Sequence, residues 1–292
     1  MRRFEDYYPT VVFIYFMFVT GMTMFCPYPP ILVLSLVGGV SWYIVRNGLS
    51  HSKLHLGLLL LFVILSLINP VISHNGVTVL FVLNNNPVTL EALLYGVNSA
   101  LMVVSALYWL CSLTQIMTSD RIMHIFGRLS PKLALLISMT LRFVPLFSRQ
   151  TKKVRSAQRA LGLYKDDNII DSLRGDMRVY SIVITWALEG GIVTADSMAA
   201  RGSGAARRTS YSDHHADPHD IAMLTGICLL FAVCCAAAAV HSFDFSFYPE
   251  LDSLRLNGSA LAGTVCYGIL VFLPSAVDVE VNIRWSLLRS RV

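Results

Sequence analysis

The sequence predicts an all-α fold: a polytopic helical membrane protein with about six transmembrane helices and a set of cytoplasmic amphipathic helices. Three observations carry that reading. Of 292 residues, 55% are hydrophobic and only 14% charged, against about 25% charged in a soluble globular chain. The apolar residues gather in runs close to the ~20 that a helix needs to cross a bilayer. The charge is also segregated. Thirteen of the 23 basic residues fall between Arg121 and Arg201, whereas His55 to Ser119 holds no Lys or Arg. A soluble enzyme scatters its charges, and a nucleic-acid binder gathers them on a folded face. This distribution is that of a chain threaded through a membrane, and it excludes nucleic acid as a partner.

Taken in order, the expected spans are Pro9–Cys26, Pro30–Val45, Leu54–Ile72, Ala92–Ile116, Ile221–Val240 and Ser259–Val279. Pro27, Pro29 and Pro30 force a tight turn after the first, since none can donate a helix hydrogen bond. Asn69-Pro70 ends or kinks the third. Around Asn84-Asn85-Asn86-Pro87, the preceding His74–Phe81 stretch reads as a short hairpin or re-entrant piece with an external turn. Two further apolar runs are not counted as spans. Leu133–Phe147 carries Arg142 and is bounded by Pro131 and Pro145, and Tyr180–Leu188 is shorter still. A central arginine costs several kcal/mol in a bilayer. Both read as helices that lie along the membrane surface or pack on each other.

Three segments follow from this pattern: an N-terminal transmembrane block over residues 1–118, a cytoplasmic region over 119–219, and a C-terminal transmembrane block with a basic tail over 220–292. The loop from Ser73 to Glu91 lacks Lys and Arg and is expected outside. The loops with Arg46 and Lys53, the basic segment, and the tail with Arg284, Arg289 and Arg291 are expected inside. Both termini are then cytoplasmic, in a prokaryotic cell membrane. The Val11 run leads to Cys26-Pro27 and not to a cleavage site, so no removable signal peptide is expected.

Little points to chemistry on a substrate. The chain has no Gly-x-x-x-x-Gly-Lys-Ser/Thr loop, so it must borrow any ATP energy. His-Glu-x-x-His and Gly-x-Ser-x-Gly are absent too, and no cofactor, metal or catalytic residue is expected. Asp278 and Glu280 sit only at the end of a span, which argues against a proton-driven carrier. The densest ligand-like cluster, Asp213, His214, His215, Asp217, His219 and Asp220, reads as a mobile polar turn, and His51 and His55 as solvated loop residues. The six cysteines form no Cys-x-x-Cys pair and read as small buried hydrophobes.

The most informative stretch is Ala195-Asp196-Ser197-Met198-Ala199-Ala200-Arg201-Gly202. Small side chains, one arginine and a helix-stopping glycine make a narrow plug with a charged tip. Such a tip suits insertion into an acidic groove of a partner. A second such stretch is Ser156-Ala157-Gln158-Arg159-Ala160-Leu161-Gly162, and a third passage runs Ser138-Met139-Thr140-Leu141-Arg142-Phe143-Val144-Pro145.

Together these passages resemble the transmembrane T component of energy-coupling factor transporters, the CbiQ-like branch of ATP-driven importers for vitamins and transition-metal ions. The third passage is similar to the family's Leu-Arg-Phe-hydrophobe-Pro stretch, which marks Arg142, Phe143 and Pro145 as a coupling platform. The other two resemble its paired Ala-Arg-Gly-like motifs. The resemblance implies an energy-coupling subunit, not an enzyme, that links two ATP-binding cassette ATPase subunits to a separate substrate-binding membrane subunit. It implies docking into the ATPases through Ala200, Arg201 and Gly202 at one helix end and Ala160, Leu161 and Gly162 at the other. The first motif departs from the family, with Leu161 where an arginine is expected. Either Leu161 is an apolar knob or Arg159 takes over. The rival readings are a substrate-binding subunit or ion-coupled carrier, which needs polar groups within spans, an intramembrane enzyme, and a membrane scaffold without a transport role.

Overall fold

Proline decides where four of the helices begin. A proline opens α1 (Pro9–Phe25), α2 (Pro29–Asn47), α6 (Pro131–Ala160) and α8 (Pro218–Ala239), where its missing N–H costs nothing and its fixed φ suits a first turn. Between and after these lie α3 (Ser52–Ile72), α4 (Leu90–Ile116), α5 (Ser119–Leu129), α7 (Ile169–Ala200) and α9 (Gly258–Arg289). A hairpin of β1 (Val79–Leu83) and β2 (Asn86–Thr89) precedes α4, with Val79 opposite Thr89 and Leu83 opposite Asn86. The computed structural model describes residues 3–48, 52–72, 76–83, 86–164, 169–203, 217–248 and 257–289. The chain divides into two units, Met1–Thr118 with His214–Val292, and Ser119–Asp213.

The fold is all-α and polytopic. Among the described residues, six helices are long and apolar enough to cross a membrane: α2, α3, α4, α7, α8 and α9. The number matches the sequence reading, but the membership differs. α1 stops at 17 residues before Cys26-Pro27, and α7 qualifies because Tyr180–Leu188 is only the middle of a 32-residue helix. Gly190 and Gly191 do not break it. Leu133–Phe147 is likewise part of a longer helix, since α6 runs through Pro145 to Ala160. α2 also exceeds its expected Pro30–Val45 bounds by taking in Pro29 and Arg46-Asn47.

In the first unit, α4 packs on α1, α2 and α3, while α9 packs on α2 and α8. The buried centre is aromatic. Phe4 in a short 3-10 turn is fully buried, with ring centroids 5.0 Å from Tyr15 and 6.3 Å from Trp42. Trp109 stacks near Trp42 at 6.5 Å. Each polar edge of this cluster has a partner. Tyr15 donates its hydroxyl to the Leu270 carbonyl at 3.1 Å, and Trp109 Nε1 donates to Ser35 Oγ at 3.0 Å. Asp278 accepts from Phe4 N at 3.0 Å and Trp42 Nε1 at 3.1 Å, tying the N-terminal turn to α9. Unpaired groups inside a membrane protein cost several kcal/mol each, so this pairing fixes the cluster's orientation. Asp278 is therefore spent on structure.

Close approach of the helices depends on small residues. A Cβ at Gly38 would overlap the Val271 side chain of α9, and one at Gly39 would lie 3.3 Å from Tyr108 Cβ of α4. One glycine pair thus seats α2 against two neighbours, as small residues do where helices pack in lipid. At the other end of α4, Thr89 Oγ1 accepts from Ala92 N at 3.3 Å. Buried Glu91 accepts from Thr78 N at 3.2 Å and Thr78 Oγ1 at 2.7 Å, pinning the hairpin.

Several isolated residues differ from their sequence reading. His55 Nδ1 lies 3.0 Å from the Tyr108 hydroxyl, and its ring packs edge-on to Tyr43, so it is a packed residue and not a solvated one. His51 lies outside the described residues. Asp217 and Asp220 form a capping box at the start of α8, and Asp220 Oδ1 accepts from Tyr8 N at 3.4 Å. Asp213, His214 and His215 lie outside the described residues. All six cysteines are free. Cys26 and Cys234 are buried, but Cys228 and Cys235 are exposed, on a helix surface suited to lipid.

Gly38→Val should split α2 from α9. Overpacking of this kind costs about 1–3 kcal/mol, so the midpoint of thermal unfolding in detergent should fall, whereas Gly57→Val, at an open position, should leave it unchanged.

Candidate docking site on two helix ends

The second unit holds the stretches singled out in the sequence. Strongly one-sided α5 packs on α6, and α6 packs on α7. Contacts between α6 and α7 run in opposite directions along the two chains. Arg155 meets Asp176, Phe147 meets Trp186 with centroids 6.1 Å apart, and Leu135 and Met139 share a cavity of about 350 Å³ with Thr194 and Met198. The two helices therefore form an antiparallel hairpin. On α7 the facing stripe is Gly175, Val179 and Val183, each buried and four residues apart.

Both helices stop in the same way. At the end of α6, Gly162 N donates to the Arg159 carbonyl at 3.0 Å and Leu163 N to the Gln158 carbonyl at 3.0 Å. At the end of α7, Gly202 N donates to the Ala199 carbonyl at 2.9 Å and Ser203 N to the Met198 carbonyl at 2.9 Å. These are the paired bonds of a Schellman turn, and its left-handed residue is Gly162 (φ +71°) or Gly202 (φ +79°). A side chain at that φ costs roughly 1–2 kcal/mol. The residue before each glycine, Leu161 or Arg201, occupies the same capping position, and both are exposed. Ala160 and Ala200, also exposed, are the last helical residues. The antiparallel packing puts the two turns at opposite ends of the hairpin, on the order of 40 Å apart at ~1.5 Å per residue.

The first turn is braced from α7, and the sequence reading missed the brace. Tyr164, just past the turn, donates its hydroxyl to Asp176 Oδ1 at 3.0 Å. The same oxygen accepts from Arg155 Nη2 at 2.7 Å. Arg159 lies over the Tyr164 ring at 5.0 Å and Arg155 at 5.7 Å, distances at which a guanidinium is attracted to the ring face. Arg178 donates to the Leu163 carbonyl at 3.3 Å. Room for the ring comes from Gly175, where a Cβ would sit 2.6 Å from Tyr164 Cδ2. A glycine within an otherwise helical pattern was the available signal.

The platform residues lie on different faces of α6. Phe143 is half-buried, stacked on Phe147 at 5.6 Å, and lines the cavity shared with α7. Arg142 and Pro145 are exposed. Much of α7 is exposed and apolar, including Tyr180, Ile184, Leu188 and Ile192.

These features define a multi-pass membrane protein in which a helical hairpin offers two matching, glycine-terminated ends. Residues 6–211 match the family described as cobalt transport protein, CbiQ. The chain belongs to that family, in agreement with the resemblance read from its motifs, and is a membrane transport component. No curated protein gives a significant match to it.

Gly175→Leu should displace Tyr164 and unbrace the first turn. Hydrogen exchange should quicken over residues 158–164 by about tenfold or more, on a cost of about 1–3 kcal/mol, with residues 198–203 unaffected.

Proposed function

We propose that this chain is the energy-coupling subunit of an ATP-driven micronutrient importer, taking a vitamin or a transition-metal ion. It has no nucleotide-binding loop of its own. Two partner ATP-binding cassette ATPases hydrolyse ATP, each gripping one helix end, and a separate substrate-binding membrane subunit carries the cargo. ATP-driven closure of the ATPases pulls on the two ends, and the rigid hairpin passes that movement to the substrate-binding subunit. Residues 119–219 are the cytoplasmic coupling region in this reading, between transmembrane blocks over 1–118 and 220–292, in a prokaryotic cell membrane with both termini inside.

The observation that carries the reading is the matched pair of Schellman turns at opposite ends of one hairpin. A separation on the order of 40 Å is too great for one groove, so two docking sites are needed. Each turn presents its capping side chain on a backbone with two of the last four carbonyls already bonded, so a partner meets an ordered end and not a frayed one. Arg201 presents a planar donor set on such an end, suited to a carboxylate. Arg142, Phe143 and Pro145 belong to the same α6 that carries the first end, and Phe143 couples it to α7 through their shared cavity. In this reading α1, at 17 residues, crosses the membrane in place of α7, whose exposed apolar face lies against lipid or the substrate-binding subunit.

Arg201→Glu should abolish transport and weaken ATPase retention while leaving membrane insertion intact. Removing one partner of a desolvated charge pair costs about 2–5 kcal/mol. Normal uptake by this variant in a transport assay would remove Arg201 from the coupling role. The orientation is checked with single cysteines at Ser203 and Ser246 in a chain lacking its native cysteines. An impermeant maleimide added to intact cells should label position 246 and spare position 203.

A further inference from the structure

We propose that a groove between α6 and α7 holds one anionic phospholipid of the cytoplasmic leaflet, with its phosphate on Arg155 and an acyl chain along α7. The proposal rests on the placement of this unit at the cytoplasmic membrane surface, as read above, and adds a ligand that the coupling role does not require.

The groove has a volume of about 400 Å³ and lies wholly within the second unit. Its two ends differ in chemistry. One end is polar, where Arg155 of α6 meets Asp176 of α7. Beyond that pair, toward Phe147 and Trp186, the α7 wall is Val179, Tyr180 and Val183.

At the polar end one donor is left over. Arg155 Nη2 donates to Asp176 Oδ1 at 2.7 Å, and the Tyr164 hydroxyl donates to the same oxygen at 3.0 Å. Arg155 Nε is buried and has no hydrogen-bond partner among the described residues. A buried N–H without an acceptor costs free energy that a ligand oxygen recovers. The Thr151 hydroxyl already donates to the Phe147 carbonyl at 2.8 Å, so on the α6 wall it is Arg155 that has a donor to give.

The charge around that donor selects an anion. α6 carries lysines and arginines but no Asp or Glu, and exposed Lys152 stands three residues from Arg155 on adjoining surface. Asp176 is the acid that lines the groove, and it is engaged by Arg155 and Tyr164. The nearby charges Asp171, Arg174 and Arg178 fall at helical positions of α7 turned away from the groove. Lys165, Asp166 and Asp167 lie outside the described residues.

The remaining walls select a hydrocarbon chain. Tyr180, at the rim, begins a row with Ile184, Leu188 and Ile192, each exposed and four residues apart. The groove therefore opens onto a continuous apolar strip in a chain built to sit in a membrane. A molecule with a phosphate at one end and hydrocarbon behind it matches that order of surfaces, and basic side chains at the cytoplasmic leaflet attract anionic lipids. A partner protein matches it less well, since a stable contact buries about 800 Å² a side and would reach far past the groove.

The test uses the full transporter reconstituted in vesicles of phosphatidylcholine alone, or of phosphatidylcholine and phosphatidylglycerol in equal parts. Each preparation carries a trace of phosphatidylcholine or phosphatidylglycerol, respectively, with a photoreactive acyl chain, and labelled residues are mapped by mass spectrometry. Phosphatidylglycerol should label residues 151–155 and 176–184, and phosphatidylcholine should label them weakly. Met177→Glu, at an exposed wall position that keeps folding out of the readout, should cut the phosphatidylglycerol label by about fivefold or more, since like charges at close range repel even in water. Ile192→Glu, on the same strip but about three turns beyond Tyr180, should leave it unchanged. Equal labelling by the two lipids overturns the inference. So does an equal loss from Ile192→Glu, because α7 would then be a lipid-facing surface without a site. Capture of a polypeptide, and not lipid, by a photoreactive amino acid at Tyr180 overturns it too. ATPase retention is followed in the same preparations. A groove without lipid on a chain that still holds the ATPases removes this inference alone, and loss of the ATPases with the lipid label intact removes the coupling role alone.

Discussion

The transfer of force through a helix requires that its end neither fray nor bend, and the Tyr164 brace together with the two glycine turns meets that requirement. A helix leaves four carbonyls unpaired at its C-terminus, and such ends loosen first. Here Gly162 and Gly202 turn the chain so that two carbonyls are bonded at each end. At the first end, Tyr164 adds a hydroxyl bond to Asp176 and a ring seated on Gly175, which locks the last turn of α6 to the first turns of α7. The stripe Gly175, Val179 and Val183, and then Phe147 against Trp186, continue that lock along the hairpin. In the coupling role proposed above, a pull on Leu161 reaches α7 directly, without first stretching a loose terminus.

The first unit solves a different problem, holding helices together where lipid offers no hydrophobic drive for their association. It does so with close approach and with paired polar edges in its central aromatic cluster. Gly38 and Gly39 bring α2 onto α9 and α4. Tyr15, Trp42 and Trp109 place large rings in the centre, each with its donor spent on a partner. Asp278 and Asp220, which could mark an ion path in another membrane protein, instead receive Phe4 N and Tyr8 N. Both carboxylates thereby hold the N-terminal segment against α8 and α9. That use weakens the reading of the chain as an ion-coupled carrier on structural grounds.

Much of this was legible in the residues, and the rest was hidden for identifiable reasons. The start at Pro9 was read directly and Pro131 was read as bounding its run, because proline's effect on an N-terminus is local, whereas α2 and α8 begin at Pro29 and Pro218, ahead of the expected Pro30 and Ile221. Helix ends at Gly162 and Gly202 were equally local. Pro145 misled, since a proline's local cost can be met when neighbours fix the helix on both sides, here Phe143 and Phe147 stacked along α6. Gly190-Gly191 hid the length of α7 in the same way. The Asp278 contact was out of reach, because Phe4 stands 274 residues away in the chain. Tyr164 carried no periodic signal at all, and only the glycine at 175 hinted that something large must lie against α7.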